Sequence, residues 1–511
     1  MRGLMGERDG SKRGPRWVPR RIGAIGSAIG WERAALGAVL AFALAIRLLW
    51  LHRVPANLTA DEADNLRVVL RIWEQGQPGF FGLDWKPAPA FSTHLMSWFM
   101  RVFGDGQFGV RSASAILSAV ALVPFYALAR RVVGIPAALA GAVLLASGRW
   151  YLHFSRSGWE NVQVGLFALV AGWALTVAWE RGQRRWYVLA GGAAALGLYG
   201  YFAGRLILPA LLATAPLAWW TTRRRGTVRP LTGRSGPLRV RTLPLGERRR
   251  DRDVLVGYAL VAATAILLFL PQARTIRRNW DHFNQRTAVV NIMNTPLPYL
   301  GEETRGGLLL LQLERTVSGY VLLDGSLFNH GRYSPPGRAI YDRFTGVLFV
   351  AGLALGVVRW RKTALWWTLL WIPLLGTQVL TSGTPDAARA VGAAPFVYLF
   401  VALALDAVVG LPRRLIRTPR WRPFARRATL VAVGVMVAAV AAWNVRDYAD
   451  WIATPDALRV REPAVTYADY PVWRDTVRCE LSGGVLRVAG DGHRSCADPV
   501  EVAVGDPVAD R

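Results

Sequence analysis

The chain has 511 residues, 52% of them hydrophobic and only 19% charged. Soluble domains run at roughly 45–50% apolar and about 25% charged, so with a mean hydropathy of +0.24 an ordinary soluble enzyme is excluded. Lys and Arg nevertheless number 62 against 34 Asp and Glu, a net charge of +28. The two facts agree only if charge and apolar residues are segregated along the chain. The arginines punctuate apolar runs instead of gathering on one face with aromatic stacking partners, which excludes nucleic acid as a partner.

In chain order, residues 1–30 form a basic tail broken by Gly and Pro, expected on the cytoplasmic side. The apolar run 34–51 is not followed by a small-residue cleavage site, so it reads as a retained signal-anchor. Further runs of near-spanning length occupy 109–128, 135–147, 162–179, 187–199, 206–220, 254–270, 344–358, 364–380, 391–409 and 428–443. Eleven spans from a cytoplasmic start place every dense arginine cluster on one side: 130–131, 181–185, 223–252, 359–362 and 413–427. That is the positive-inside rule met repeatedly by one assumption. The expected fold is an all-α polytopic membrane protein with a transmembrane domain over 31–445 and an extracytoplasmic tail over 446–511.

The external loops at 51–109 and 271–343 are far longer than ordinary connections. Within them, apolar residues recur at helical spacing over 65–73, 91–103 and 308–323, which predicts helices lying in the interface plane. Cys479 and Cys496 are the only two cysteines. Both fall in the external tail, where a disulfide is expected, free thiols in a loosely ordered tail being the other reading. Runs at 476–481, 485–488 and 500–504 around Ser482-Gly483-Gly484 suggest a small β-rich cap.

The chemistry concentrates just after the first span, in Asp61-Glu62-Ala63-Asp64. A carboxylate held at a bilayer surface, partly desolvated, suits a general base; acidic residues also favour the first turn of any helix. Lys86 comes next in Asp84-Trp85-Lys86-Pro87, where proline restricts the backbone and presents the cation from a stiff support. A presented cation suits a phosphate. Arg205 and Arg389 stand at external mouths of spans, either snorkelling to the interface or binding phosphate bidentately. The segment containing His330 and Tyr333 is rich in turn residues, and such loops also line carbohydrate grooves.

These motifs resemble the GT-C membrane glycosyltransferases, specifically the family that holds the protein O-mannosyltransferases and the lipid A aminoarabinose transferase. Asp61-Glu62 looks like that family's acidic pair in the first external loop, and Trp85-Lys86-Pro87 is similar to its Lys-Pro motif. The resemblance implies Glu160, in Ser157-Gly158-Trp159-Glu160-Asn161, as the second active-site carboxylate, where relatives often carry Asp. Tyr199 to Arg205 resembles the family's Tyr- and Arg-bearing hairpin, which brings Tyr201 to the substrate groove.

The resemblance implies a sugar transferase using a polyprenyl-phosphate donor and an acceptor that is lipid, protein or glycan. Asp61, Glu62 and Glu160 would be catalytic, Lys86, Arg205 and Arg389 would bind the donor phosphate, and Tyr201, His330 and Tyr333 would line the groove. The site would face outward from a bacterial plasma membrane. The rival class, a transporter or flippase of the same lipid, predicts functional charges deep inside spans, whereas the notable carboxylates here gather at one face. Trp85 stands where some relatives carry a metal-binding carboxylate. A divalent cation on Asp61, Glu62 and Glu160 is compatible with oxygen ligation, and nothing in the sequence decides it. No His-Glu-x-x-His or Cys/His spacing suggests zinc.

Overall fold

The computed structural model describes residues 20–224, 250–294, 297, 304–328, 331–416, 418–453, 465, 469–488 and 494–497. Each of the eleven apolar runs falls on helical segments. Six helices in the described residues are long and apolar enough to cross a bilayer as single elements, or up to seven if Ile135–Ser147 and Arg149–Ser155 form one span bent by 59°. The bend sits at Gly148, where a Cβ would lie 2.0 Å from the Tyr398 hydroxyl. Only glycine allows the two helices to turn against that ring. Ile135–Ser147 alone, at 1.5 Å per residue, rises about 20 Å, short of the roughly 30 Å hydrocarbon core.

Ala394–Leu415 is the hub, with every residue from Ala394 to Leu405 buried. It packs against Ile135–Ser147, Arg343–Val358 and Arg422–Ile452. Gly352 meets the hub so closely that a Cβ would lie 2.0 Å from the Phe400 carbonyl oxygen. Arg422–Ile452 runs along the outside and exposes Val431, Val435, Met436 and Trp443, the lipid-facing stripe expected of a peripheral span.

Helices do form in the two long loops expected outside: Ala60–Gln75, Phe91–Phe103 and Arg305–Tyr320. Ala60–Gln75 begins with a capping box in which the Thr59 hydroxyl accepts the Glu62 N–H while the Glu62 carboxylate accepts the Thr59 N–H. Its apolar face, Leu66, Val69 and Leu70, packs with Met96, Met100 and Val110.

The C-terminal segment corrects one expectation. Residues 476–481, expected as a strand, belong to the helix Tyr470–Leu481. Tyr470, Trp473, Val477 and Leu481 form a helical stripe that closes on the cluster around Leu66 and Met96, and this tertiary burial overrides the local β preference. Val485–Val488 pairs antiparallel with Arg494–Ala497, and Cys479 is disulfide-bonded to Cys496. The 500–504 run lies outside the described residues. This cap is tied to the 51–109 loop by Gln75 donating to the Leu481 carbonyl at 2.7 Å and by Arg474 donating to Asp105 at 3.1 Å.

Candidate active site

The capping box fixes where the acidic pair points. Successive helical residues project about 100° apart, so Asp61 and Glu62 cannot face the same space. Asp61 keeps 21% exposure and pairs with Arg332 at 3.2 Å. Glu62 is 0% exposed; its carboxylate takes Arg111 Nε at 3.0 Å and the Gly158 N–H at 2.7 Å. Glu62, expected as catalytic, joins the helix start, Arg111 and the loop that carries Glu160 through these contacts.

One turn on, Asn65 organises the second pair. Its amide donates to Glu160 Oε2 at 3.0 Å and to the Gly158 carbonyl at 3.0 Å, and its oxygen accepts Trp85 Nε1 at 2.8 Å. Glu160 Oε1 holds Lys86 Nζ at 3.1 Å, and that ammonium also lies 4.9 Å from the Trp85 ring centroid. The Lys86 turn is stapled by Asp84, whose Oδ1 accepts the Lys86 N–H at 2.9 Å and the Ala88 N–H at 3.0 Å. Burial, then the Glu160 charge, push the Asp84 carboxyl up to about 7. For Lys86, burial opposes the charge, but Glu160, Asp61 and Asp84 outweigh it and hold its pKa above the ordinary value.

The third pair comes from the late loop. Asp386 caps the short helix Ala387–Ala390 by accepting the Ala388 and Arg389 N–H groups at 2.8 and 2.9 Å. Arg389 pairs with Asp386 at 3.3 Å and donates to the Thr381 hydroxyl and the Ser382 carbonyl at 2.7 and 2.6 Å.

Asp61, Lys86, Arg205, Arg389, Tyr201 and Tyr333 all line one cavity of about 250 Å³. Glu62 and Glu160 do not line it; Glu160 stands behind Lys86. His330 lies outside the described residues. A second cavity of about 540 Å³ is lined mostly by apolar side chains, among them Leu198, Phe269, Ile276 and Trp280, with Arg277 and Arg205 as its charged members. Arg205 borders both cavities, its guanidinium 4.5 Å from the centroids of Phe202 and of Phe283. Arg205 makes no ion pair among the described residues, and one of its terminal nitrogens is buried without a hydrogen bond.

No group of three or more His, Cys, Asp or Glu side chains among the described residues is arranged to hold a metal ion. Asp61, Glu62 and Glu160, whose oxygens are compatible with a divalent cation in the sequence reading, each face a separate cationic partner.

Known proteins share parts of this chain and its architecture. A family model described as dolichyl-phosphate-mannose-protein mannosyltransferase matches residues 87–231. An undecaprenyl phosphate-alpha-4-amino-4-deoxy-L-arabinose arabinosyl transferase of Pseudomonas aeruginosa is 29% identical over 208 residues, 39% of this chain and 32% of that protein. The match thus spans about a third of that relative's length. ArnT from Cupriavidus metallidurans, solved bound to undecaprenyl phosphate, superposes with a TM-score of 0.52 at 14% identity, covering 89% of this chain and 78% of that one. The chain has a GT-C-like fold. A second GT-C structure is the oligosaccharyltransferase AglB from Archaeoglobus fulgidus, in complex with an inhibitory peptide and a dolichol-phosphate. It gives a TM-score of 0.51 at 16% identity, over 83% of this chain and 56% of that one.

On the GT-C scaffold several site residues escape a reading of the sequence alone. Arg332 reaches Asp61 across 271 positions, Asn65 joins Trp85 to Glu160, and Asp386 is the partner of Arg389. Asp386 carried a signal, since an acidic residue three positions before an arginine in Asp386-Ala387-Ala388-Arg389 suits a helix cap. Arg332 carried none beyond its turn-rich loop.

Proposed function

We propose that this protein is a membrane glycosyltransferase that moves a sugar from a polyprenyl-phosphate donor to an acceptor outside a bacterial plasma membrane. The observation that carries the reading is Arg205 at the junction of the two cavities. The apolar cavity suits an isoprenoid chain, the polar one a sugar, and the phosphate between them would meet a guanidinium that has no carboxylate partner among the described residues. Lys86 and Arg389 border the same polar cavity and add charge-assisted donors for the phosphate.

In the step proposed, Asp61 takes the proton of the acceptor nucleophile as its lone pair forms the bond to the anomeric carbon. The bond from that carbon to the phosphate oxygen breaks, and its electron pair leaves on the lipid phosphate. Arg205, Lys86 and Arg389 stabilise the charge that develops there. A single displacement inverts the anomeric configuration. Arg332 holds the Asp61 carboxylate in place without filling both of its oxygens. The acceptor is a lipid, a protein or a glycan.

The test is a panel of polyprenyl-phosphate sugars offered to the purified protein with envelope acceptors, read as release of free polyprenyl phosphate. Arg205→Ala is expected to raise the donor KM at least tenfold. An unchanged donor KM would mean that the phosphate does not sit at the junction of the two cavities.

A further inference from the structure

The end of the molecule opposite the Asp61 cavity has a cavity of its own, about 210 Å³, lined by Gly134, Arg359, Asp406, Arg413, Arg414 and Arg426 among others. Helical rise sets the separation: from Arg389 to Arg413 the chain advances 24 positions, about 36 Å at 1.5 Å each, so the two cavities stand at opposite membrane faces. The charge balance of this second site is uneven. Asp406 is already engaged, accepting the Gly134 N–H at 2.9 Å and facing Arg359 at 3.5 Å. Arg413, Arg414 and Arg426 have no ion-pair partner among the described residues, and all three are exposed. Three uncompensated guanidinium groups therefore converge on one concavity between the ends of three helices, Ile135–Ser147, Ala394–Leu415 and Arg422–Ile452.

Exposed apolar side chains lie close in the chain to these arginines. Next to Arg414 in the chain, Leu415 is 72% exposed, and between Arg414 and Arg426 come Trp421 and Phe424 at 53% and 66%. Trp421 and Phe424 pack edge to face at 6.2 Å, an interfacial aromatic pair of the kind that sits at headgroup level. A soluble anion has no use for such side chains, whereas a phosphodiester attached to acyl chains uses both parts.

We infer that this cavity is a binding site for the headgroup of an anionic phospholipid of the cytoplasmic leaflet. The phosphodiester takes the guanidinium groups of Arg413, Arg414 and Arg426, and the acyl chains lie along Leu415 and Phe424. Basic pockets between spans on this face hold such headgroups. The site is independent of the sugar-transfer reading, since none of its residues borders the Asp61 cavity.

The test is native mass spectrometry of the full-length protein in detergent, titrated with phosphatidylglycerol, cardiolipin or phosphatidylcholine. Anionic lipids are expected to stay bound and phosphatidylcholine to leave. The triple variant Arg413→Gln/Arg414→Gln/Arg426→Gln is expected to weaken anionic-lipid retention about a hundredfold while donor turnover is unchanged. The matched control Arg181→Gln/Arg184→Gln/Arg185→Gln removes three exposed arginines elsewhere on the same face and is expected to retain the lipid. Equal loss in the control would mean diffuse surface charge and overturn the site, as would equal retention of phosphatidylcholine. Displacement of bound lipid by millimolar inorganic phosphate would reassign the cavity to a soluble anion and overturn the lipid assignment.

Discussion

Arg332 donates to Asp61 at 3.2 Å from 271 positions further along the chain, and the backbone carbonyl of that arginine is itself held by the His153 ring at 2.8 Å. The carboxylate proposed to accept the proton is thus oriented by a late loop, which is anchored on a helix from the first half of the protein.

Freeing Asp61 from this partner should cost turnover more than donor affinity. Arg332→Gln is expected to lower kcat by roughly ten- to a hundredfold, the scale for disturbing a positioned acid or base, with donor KM near wild type. Arg332→Lys should recover part of the loss. Steady-state kinetics on both variants separates this positioning role from phosphate binding, which would move KM instead.

Lys86 and Glu160 form a pair in which both side chains are nearly excluded from solvent. Removing one partner strands the other charge, so Glu160→Gln should destabilise the protein by about 3–5 kcal/mol. Lys86→Met/Glu160→Gln should regain much of that stability while transfer stays low, because the phosphate-facing cation is gone. A thermal-unfolding double-mutant cycle, run beside the transfer assay, reads both effects.

Glu62 and Arg111 differ from Asp61 in that neither lines the cavity. Arg111 also donates to the carbonyls of Leu51, Pro55 and Asn57 at 3.4, 2.7 and 2.8 Å, so Arg111→Leu takes the cation from Glu62 and a donor from three backbone acceptors together. The expected outcome is poor folding yield, and any protein recovered should unfold at a much lower temperature. A well-folded Arg111→Leu variant that had lost only catalysis would contradict the structural assignment of Glu62.

Asp84 gives the stability a pH dependence. Its carboxyl titrates near 7 in the fold against about 3.9 in an unfolded chain, so between those values the folded state binds more protons. Its contribution favours the fold at pH 4 and is lost as pH rises through 7. Asp84→Asn keeps an oxygen to accept the Lys86 and Ala88 N–H groups and does not ionise. The melting temperature of the variant relative to wild type should therefore rise from pH 4 to pH 8. A constant difference would mean that Asp84 titrates normally.

How far the sequence reached depended on the range of the interaction. Helices were legible because period and length are local: the stretch expected at 91–103 is the helix Phe91–Phe103. Lys86 and Asp61 stood out through chemistry written within a few residues. The split between Asp61 and Glu62 was hidden, because it depends on which helix face meets Arg111 and which meets Arg332, and both partners are remote in sequence. The 476–481 run misled for the same reason, its apolar stripe being satisfied only by Leu66 and Met96 from another loop.

Asp61 is the residue on which the proposed transfer depends most directly. The decisive measurement is release of free polyprenyl phosphate, with sugar appearing on an acceptor, by purified wild type and Asp61→Asn at matched folding. The asparagine variant is expected to lose about 10²- to 10⁴-fold in turnover, the range for a positioned general base, while still binding donor. Turnover within a few fold of wild type would contradict the assignment of Asp61 as the group that takes the acceptor proton.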